Sequence, residues 1–168
     1  MHPANPPLSG RPTARWHPPF DAQKHRTGFT LIELLVVVSI LAMLATVAML
    51  QLARARIIAY EEIALTSLRL ISRACHFFFL ANQRFPDSLT DLGAAVPPYI
   101  PSNLIGDGTT VTKQGYVFTY APGGNGFTLN ADPQTPGKTG TRYFFVNEQL
   151  IIRMDLIGPA DSNDPPIP

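Results

Sequence analysis

The chain has 168 residues with 13 basic and 12 acidic side chains, so its formal net charge is only +1. No basic stripe marks residues 29–168, so the sequence gives no strong case for nucleic-acid binding. The single cysteine, Cys75, excludes an intrachain disulfide, and the length suits one small domain together with a long helix.

The charge is distributed unevenly along the chain. Residues 1–28 carry four basic side chains against Asp21, a formal charge of +3, whereas the remaining 140 residues carry nine basic and eleven acidic ones, a charge of −2. The first segment also holds six prolines and has no hydrophobic periodicity, which predicts disorder. Because basic residues before an apolar run keep that end in the cytoplasm, the remainder of the chain is expected outside it.

Glycine and proline are both absent from the 57 residues between Gly28 and Pro86, although the chain holds 12 and 17 of them. This gap predicts one continuous helix over Phe29–Phe85. Its first half, 29–52, is apolar nearly all round, as membrane and filament-core helices are. These 24 residues can span a bilayer, which takes about 20.

The second half of this helix is amphipathic. Charged residues appear from Ala53 onwards, and apolar residues recur at three- and four-residue steps, which predicts one face that covers a sheet. The residues of this face are Ile57, Tyr60, Ala64, Leu68, Ile71, Cys75 and Phe78.

After Pro86 the composition changes. A capped helical turn is predicted over Asp87–Leu92, followed by a loop over 94–112 and by runs rich in aromatic and β-branched residues. The runs are Tyr116–Tyr120, Phe127–Ala131, Arg142–Val146 and Leu150–Arg153. The predicted fold class is therefore α+β, with a long N-terminal helix packed on a small antiparallel sheet of three to four strands. A globular head is expected over 53–158 and a flexible tail over 159–168.

A charged residue interrupts the start of the apolar run. The sequence Gly28-Phe29-Thr30-Leu31-Ile32-Glu33-Leu34-Leu35-Val36-Val37 follows the basic segment and resembles the class III signal of type IV pilins and type II secretion pseudopilins. The resemblance implies that a prepilin peptidase cuts between Gly28 and Phe29 and removes the leader 1–28. It also implies that Phe29 is N-methylated, and that Glu33 meets the N-terminal amine of a neighbouring subunit during filament assembly.

The physical chemistry of this pairing agrees with the resemblance. An amine and a carboxylate in apolar surroundings are each costly alone, and pairing offsets much of that cost, so an unmade pair penalises a wrong stagger between subunits. Gly28 suits a cleavage site because a residue without Cβ allows a protease close to the backbone.

The resemblance also implies a function. The expected protein is a structural subunit of a type IV pilus-like filament, with no catalytic activity, no cofactor and no metal. Its partners would be further copies of itself, the prepilin peptidase and a pilus or secretion assembly machinery. It would reside as a single-pass protein in the inner membrane, with a periplasmic head, and then in an extracellular pilus or a periplasmic pseudopilus. The alternatives are a secretion pseudopilin and a membrane-anchored binding module.

Two simpler interpretations of the N-terminal segment compete with the pilin-like one. The segment could be an ordinary secretory signal cut after Ala53-Arg54-Ala55, or a plain anchor with a chance glutamate. The long apolar run, the glutamate near its start and the arginine at the proposed cut favour the pilin-like interpretation.

The remaining chemically reactive residues favour structural roles. Cys75 and His76 are helix neighbours about 100° apart, so they cannot easily converge as nucleophile and base. Asp155, Asp161, Asn163 and Asp164 offer oxygen atoms for calcium, but their spacing fits no known loop motif. Many pilins bracket a C-terminal loop with a cysteine pair, and this chain lacks one.

Overall fold

The computed structural model describes residues 28–167. The predicted leader, apart from Gly28, and Pro168 therefore lie outside the described residues. The chain divides into two compact units at the boundary between Ser39 and Ile40.

The predicted helix is confirmed as one uninterrupted element, α1, which spans Leu31–Asn82. It ends three residues before the predicted boundary because Gln83 adopts a left-handed conformation with φ of 58°. The Gln83 amide donates to the Phe79 carbonyl at 2.8 Å, and the Asn82 side chain donates to the Phe78 carbonyl at 3.0 Å. Carbonyls of the last turn are thus satisfied, as at many helix ends.

In the second unit, the C-terminal half of α1 buries the predicted face. Ala64, Leu68, Ile71, Cys75 and Phe78 are buried, whereas Ile57 and Tyr60, nearer the start of this half, are half-buried. The stripe is broader than predicted, because Leu65 and Ala74 are also buried beside it. The period of 3.6 residues therefore identified the side of the helix that packs on the sheet.

A five-stranded antiparallel meander covers this face of α1, which confirms the α+β class, and it has one strand more than the upper limit of the predicted three to four. The strands lie side by side in chain order. They are β1 Thr110–Lys113, β2 Tyr116–Gly123, β3 Gly126–Pro133, β4 Tyr143–Asn147 and β5 Arg153–Asp155. In chain order, α1 is followed by the short helix α2, Leu89–Ala94, and by a 3₁₀ turn, Ser102–Leu104, before β1 begins.

The additional strand, β1, lies at the end of the segment that was predicted to be a loop. It has only four residues, of which Val111 alone is buried, so its composition carries little strand signal. It pairs with β2 through a two-residue turn, Gln114-Gly115, in which both residues have positive φ. Such turns match the twist of the flanking strands, and glycine adopts this conformation most easily.

The core lies between α1 and one face of the sheet. Burial alternates strictly along β3, so that Phe127, Leu129 and Ala131 face the helix. β4 departs from this alternation because Phe144, Phe145 and Val146 are all buried. The neighbour of Phe145 in β3 is Asn130, whose side chain donates to the carbonyl of Ala160 at 2.8 Å. The segment 159–167 therefore covers part of the outer face of the sheet.

This C-terminal segment was expected to be a flexible tail, and its contacts do not fit a free tail. Ala160 is buried, and Ile167 packs against the core. Its backbone also pairs with the strand beside it. The Met154 amide donates to Pro165 at 3.1 Å, and the Ile167 amide donates to Ile152 at 3.0 Å. The segment thus occupies the hydrogen-bonding edge of β5, an edge that proteins commonly cover.

The last predicted strand was placed too early in the chain. The sequence suggested Leu150–Arg153, whereas β5 begins at Arg153. The turn after β4 is longer than predicted, because Leu150 has φ of 61° and its amide donates to the Asn147 carbonyl at 3.0 Å. Leu150 and Ile151 are consequently exposed.

Candidate functional site

The start of α1 is organised by Thr30. Its hydroxyl oxygen accepts a hydrogen bond from the Glu33 amide at 3.2 Å, and its carbonyl accepts one from the Leu34 amide at 3.2 Å. The order Thr30-Leu31-Ile32-Glu33 has the spacing of a capping box, in which the residue before the first turn satisfies a free amide. Glu33 therefore occupies the third position of the helix, where the helix dipole favours a negative charge.

Gly28 and Phe29 precede this cap and lie outside the helix. A Cβ added to Gly28 would meet no atom within 4 Å, and Gly28 does not have the positive φ that disfavours other residues. The described residues therefore place no steric demand for glycine at this position. Phe29 is 82% exposed and packs into no core.

The apolar half of α1 has no tertiary partner among the described residues. Every described side chain between Phe29 and Leu52 is exposed. Its two small hydroxyl residues are satisfied within the helix, since Ser39 donates to the Val36 carbonyl and Thr46 to the Met43 carbonyl, both at 2.7 Å. Glu33 is the only ionisable side chain in this stretch. By length and composition, α1 can cross a membrane.

A second acidic residue of α1, Glu61, has the opposite environment. Its side chain is 4% exposed, and it bonds the connection between β3 and β4. Oε1 accepts hydrogen bonds from the Thr141 amide at 2.8 Å and the Thr141 hydroxyl at 2.9 Å, and Oε2 accepts one from Nε of Arg142 at 2.7 Å. This carboxylate fixes the β3–β4 connection to the helix.

The electrostatics of Glu61 follow from these contacts. Burial alone would raise the pKa of its carboxyl group, but the hydrogen bonds from Thr141 and Arg142 and the charge of Arg142 together lower the pKa below its ordinary value. The sequence alone assigned Glu61 no role beyond that of one of the charged residues after Ala53. The spacing could have indicated its burial, because Glu61 lies three residues before Ala64 and seven before Leu68, on the same face of the helix.

Cys75 and His76 do not form a reactive pair. Cys75 is fully buried, and burial raises the pKa of its thiol to about 12, so the thiolate is scarce at neutral pH. The Nδ1 atom of His76 is buried and has no hydrogen-bond partner among the described residues, so no acid orients the ring.

The acidic residues near the C-terminus cap turns. Asp155 accepts hydrogen bonds from the amides of Leu156 and Gly158, at 2.7 and 3.1 Å. Asp161 accepts one from the Asn163 amide at 2.6 Å, and Asp164 accepts one from the Asp161 amide at 2.7 Å. Within residues 28–167, no three His, Cys, Asp or Glu side chains converge as they would around a metal ion.

The comparison with protein families identifies the N-terminal segment. A model described as the prokaryotic N-terminal methylation motif matches residues 23–49. Neither a curated protein nor a solved structure matches the chain at a significant level. The matched residues contain the basic-to-apolar junction, Gly28, Phe29 and Glu33, and they do not extend into the head.

The chain is therefore a prepilin-like protein with a class III signal, the motif typical of type IV pilins and pseudopilins. The motif implies processing by a peptidase and handling by an assembly machinery. Together with the apolar helix, it indicates membrane anchoring before assembly. Proteins with this motif are generally structural rather than enzymatic.

Proposed function

We propose that this protein is the structural subunit of a type IV pilus-like filament that polymerises through the N-terminal half of α1. One observation supports the proposal above all others. The methylation motif coincides with a helical half whose described side chains are all exposed and mostly apolar. Such a surface requires lipid before assembly and neighbouring helices afterwards, because contiguous apolar surface of this size is not stable in water.

The proposed processing site is the bond between Gly28 and Phe29. The open space around Gly28 and its ordinary backbone conformation support this assignment, because the glycine answers no packing requirement of the described residues. A peptidase that must approach the backbone closely would explain the glycine, because glycine has no Cβ to obstruct the enzyme. Removal of the leader 1–28 exposes an α-amino group on Phe29, which is then methylated.

The proposed partner of Glu33 is this new amino group on a neighbouring subunit. Glu33 is the only ionisable side chain between Phe29 and Leu52. A carboxylate transferred into an apolar bundle without a partner loses its hydration, and an adjacent ammonium group offsets much of that loss. The pair therefore selects the axial stagger of subunits more than it adds net stability.

Exchange of Glu33 for glutamine tests this role. The Glu33→Gln variant removes the charge and keeps the shape, so we expect normal cleavage and loss of filaments seen by electron microscopy of sheared cells. Glu62→Gln is the matched control, because Glu62 is an exposed glutamate on the same helix within the head. Normal filaments from Glu33→Gln would contradict the pairing, and loss of filaments in both variants would show that the assay lacks specificity.

Within the filament class we favour a pilus over the pseudopilus of a secretion system. Support comes from the carboxylates near the C-terminus, which bond to nearby backbone amides and cap turns. Calcium binding by the purified protein, measured by calorimetry, together with co-purification of a secretion apparatus, would reverse this preference. A membrane-anchored binding module predicts instead an unmethylated N-terminus and no filaments.

A further inference from the structure

A cavity lies where the head begins. Its volume is about 380 Å³. One wall comes from the first two turns of α1 after the apolar run, with Arg56, Ile57 and Tyr60, and the other comes from Gly137, Lys138 and Thr139 in the β3–β4 connection. All of these residues belong to the second unit.

The position of this cavity follows from the length of the apolar run. Residues 29–52 rise about 36 Å as a helix, slightly more than the roughly 30 Å of a hydrocarbon core. The next eight residues rise about 12 Å, and the headgroup region is about 5–8 Å thick on each side. When the apolar half of α1 is centred in a bilayer, the Arg56 backbone therefore lies about 9 Å beyond the hydrocarbon core, and Tyr60 lies about 6 Å further out. Because helix side chains lean toward the N-terminus, the long Arg56 side chain can reach back to the headgroups.

The loop wall of the cavity is held in place by hydrogen bonds. Glu61 bonds the loop at Thr141 and Arg142, directly after the cavity residues. Within the loop, the amides of Lys138 and Thr139 both donate to the Thr135 carbonyl, at 3.0 and 2.9 Å. The side chain of Lys138 is thus presented opposite the helix by an ordered turn.

The two cations of the cavity have no acidic partner in the described part of the chain. The ion pairs found there are Arg84–Asp87 and Arg142–Glu61, and neither involves Arg56 or Lys138. Arginine and lysine are the side chains that bind phosphate groups. Ile57 offers an apolar surface beside them, suited to the start of an acyl chain.

We propose that this cavity binds the phosphate group of an anionic phospholipid while the subunit resides in the membrane. The ligand chemistry is a phosphate anion held by Arg56 and Lys138, and the apolar wall selects a lipid over free phosphate. This inference rests on the membrane stage of the proposed function. It assigns the cavity a role before assembly, which is to hold the head at a defined depth on the bilayer surface.

The test uses the full chain in neutral detergent micelles and native mass spectrometry, with phosphatidylglycerol or phosphatidylcholine as the probe. We expect the wild type to retain phosphatidylglycerol more tightly than phosphatidylcholine. The double variant Arg56→Ala/Lys138→Ala should bind phosphatidylglycerol about 30-fold more weakly, since each basic side chain near an anionic surface contributes roughly a factor of five. The matched control is Arg69→Ala/Arg73→Ala, which removes the same charge about 20 Å further along the helix.

Three results would overturn the inference. They are equal retention of the two lipids by the wild type, unchanged binding by Arg56→Ala/Lys138→Ala, and an equal loss in the Arg69→Ala/Arg73→Ala control. Displacement of phosphatidylglycerol by inorganic phosphate would show that a free anion is the ligand. Failure of the wild type to insert into phosphatidylcholine vesicles would instead contradict the membrane stage of the proposed function. Thermal unfolding of each variant checks that the head is intact.

Discussion

The two halves of α1 have the same secondary structure and opposite environments. The half from Leu31 to Leu52 exposes every described side chain, whereas the half in the head buries a stripe against the sheet. Each half carries one glutamate with a defined position. Glu33 follows a helix cap in apolar sequence, and Glu61 lies in the protein interior with three hydrogen bonds.

This difference arises from the pattern of apolar residues rather than from helix propensity. Where apolar residues recur on one face, the chain buries them against its own sheet. Where they surround the helix, no other part of residues 28–167 covers them. The head packs on itself, and we expect the first half to need an outside partner, which under the proposed function is lipid or other subunits. Substitutions should separate the two halves clearly.

Truncation of a leucine should produce the largest difference in stability between the two halves. Leu68 is 0% exposed, and Leu68→Ala is expected to lower the free energy of unfolding by about 2–5 kcal/mol because it leaves a cavity. Leu41 is 58% exposed, and Leu41→Ala should change the free energy of unfolding by less than about 0.5 kcal/mol. Urea unfolding of the full chain in detergent, followed by near-UV circular dichroism, measures both. Similar losses in the two variants would contradict the division of the helix.

The buried carboxylate should have the next largest effect. Glu61→Ala leaves Arg142 without its partner and should cost about 2–3 kcal/mol of stability, less than for a fully buried pair because the Arg142 side chain is 29% exposed. The double variant Glu61→Met/Arg142→Met should recover the part of the loss that comes from the unpaired Arg142, while the Thr141 amide and hydroxyl still lack their acceptor. Glu62→Ala is the exposed control. A double variant as unstable as Glu61→Ala would show that the pair contributes more than mutual neutralisation.

The smallest predicted effect is on the pH dependence of stability. Because the pKa of Glu61 is lowered in the folded head, its contribution is present above the ordinary value of 4.5 and is lost as the pH falls through the folded pKa. The free energy of unfolding should therefore decrease below about pH 4.5. Glu61→Gln should flatten this decrease in a pH series of urea titrations. An equally steep profile in the variant would assign the acid sensitivity to other carboxylates.

The long helix and the three central strands of this fold could be predicted from the sequence. The absence of glycine and proline predicted α1, and enrichment in aromatic and β-branched residues between turns predicted β2, β3 and β4. The parts that it missed depend on contacts between distant residues. β1 is a strand because β2 pairs with it, and Glu61 is buried because Thr141 and Arg142, 80 and 81 residues away, satisfy its oxygen atoms.

The candidate site divides in the same way. The motif around Gly28 and Glu33 was visible in the sequence, because its parts are contiguous. The role of Thr30 as the helix cap and the cavity between Arg56 and Lys138 emerged only from the structure. Prolines and aspartates are typical of tails, so composition predicts a flexible C-terminal segment. Its backbone pairing with β5 depends on an edge that composition does not reveal.

The most direct test of the proposed assembly subunit is the mass and N-terminal sequence of the protein isolated from membranes. The account predicts a chain that begins at Phe29 and carries one additional methyl group. A chain that retains residues 1–28, or one that begins after Ala55, would contradict it.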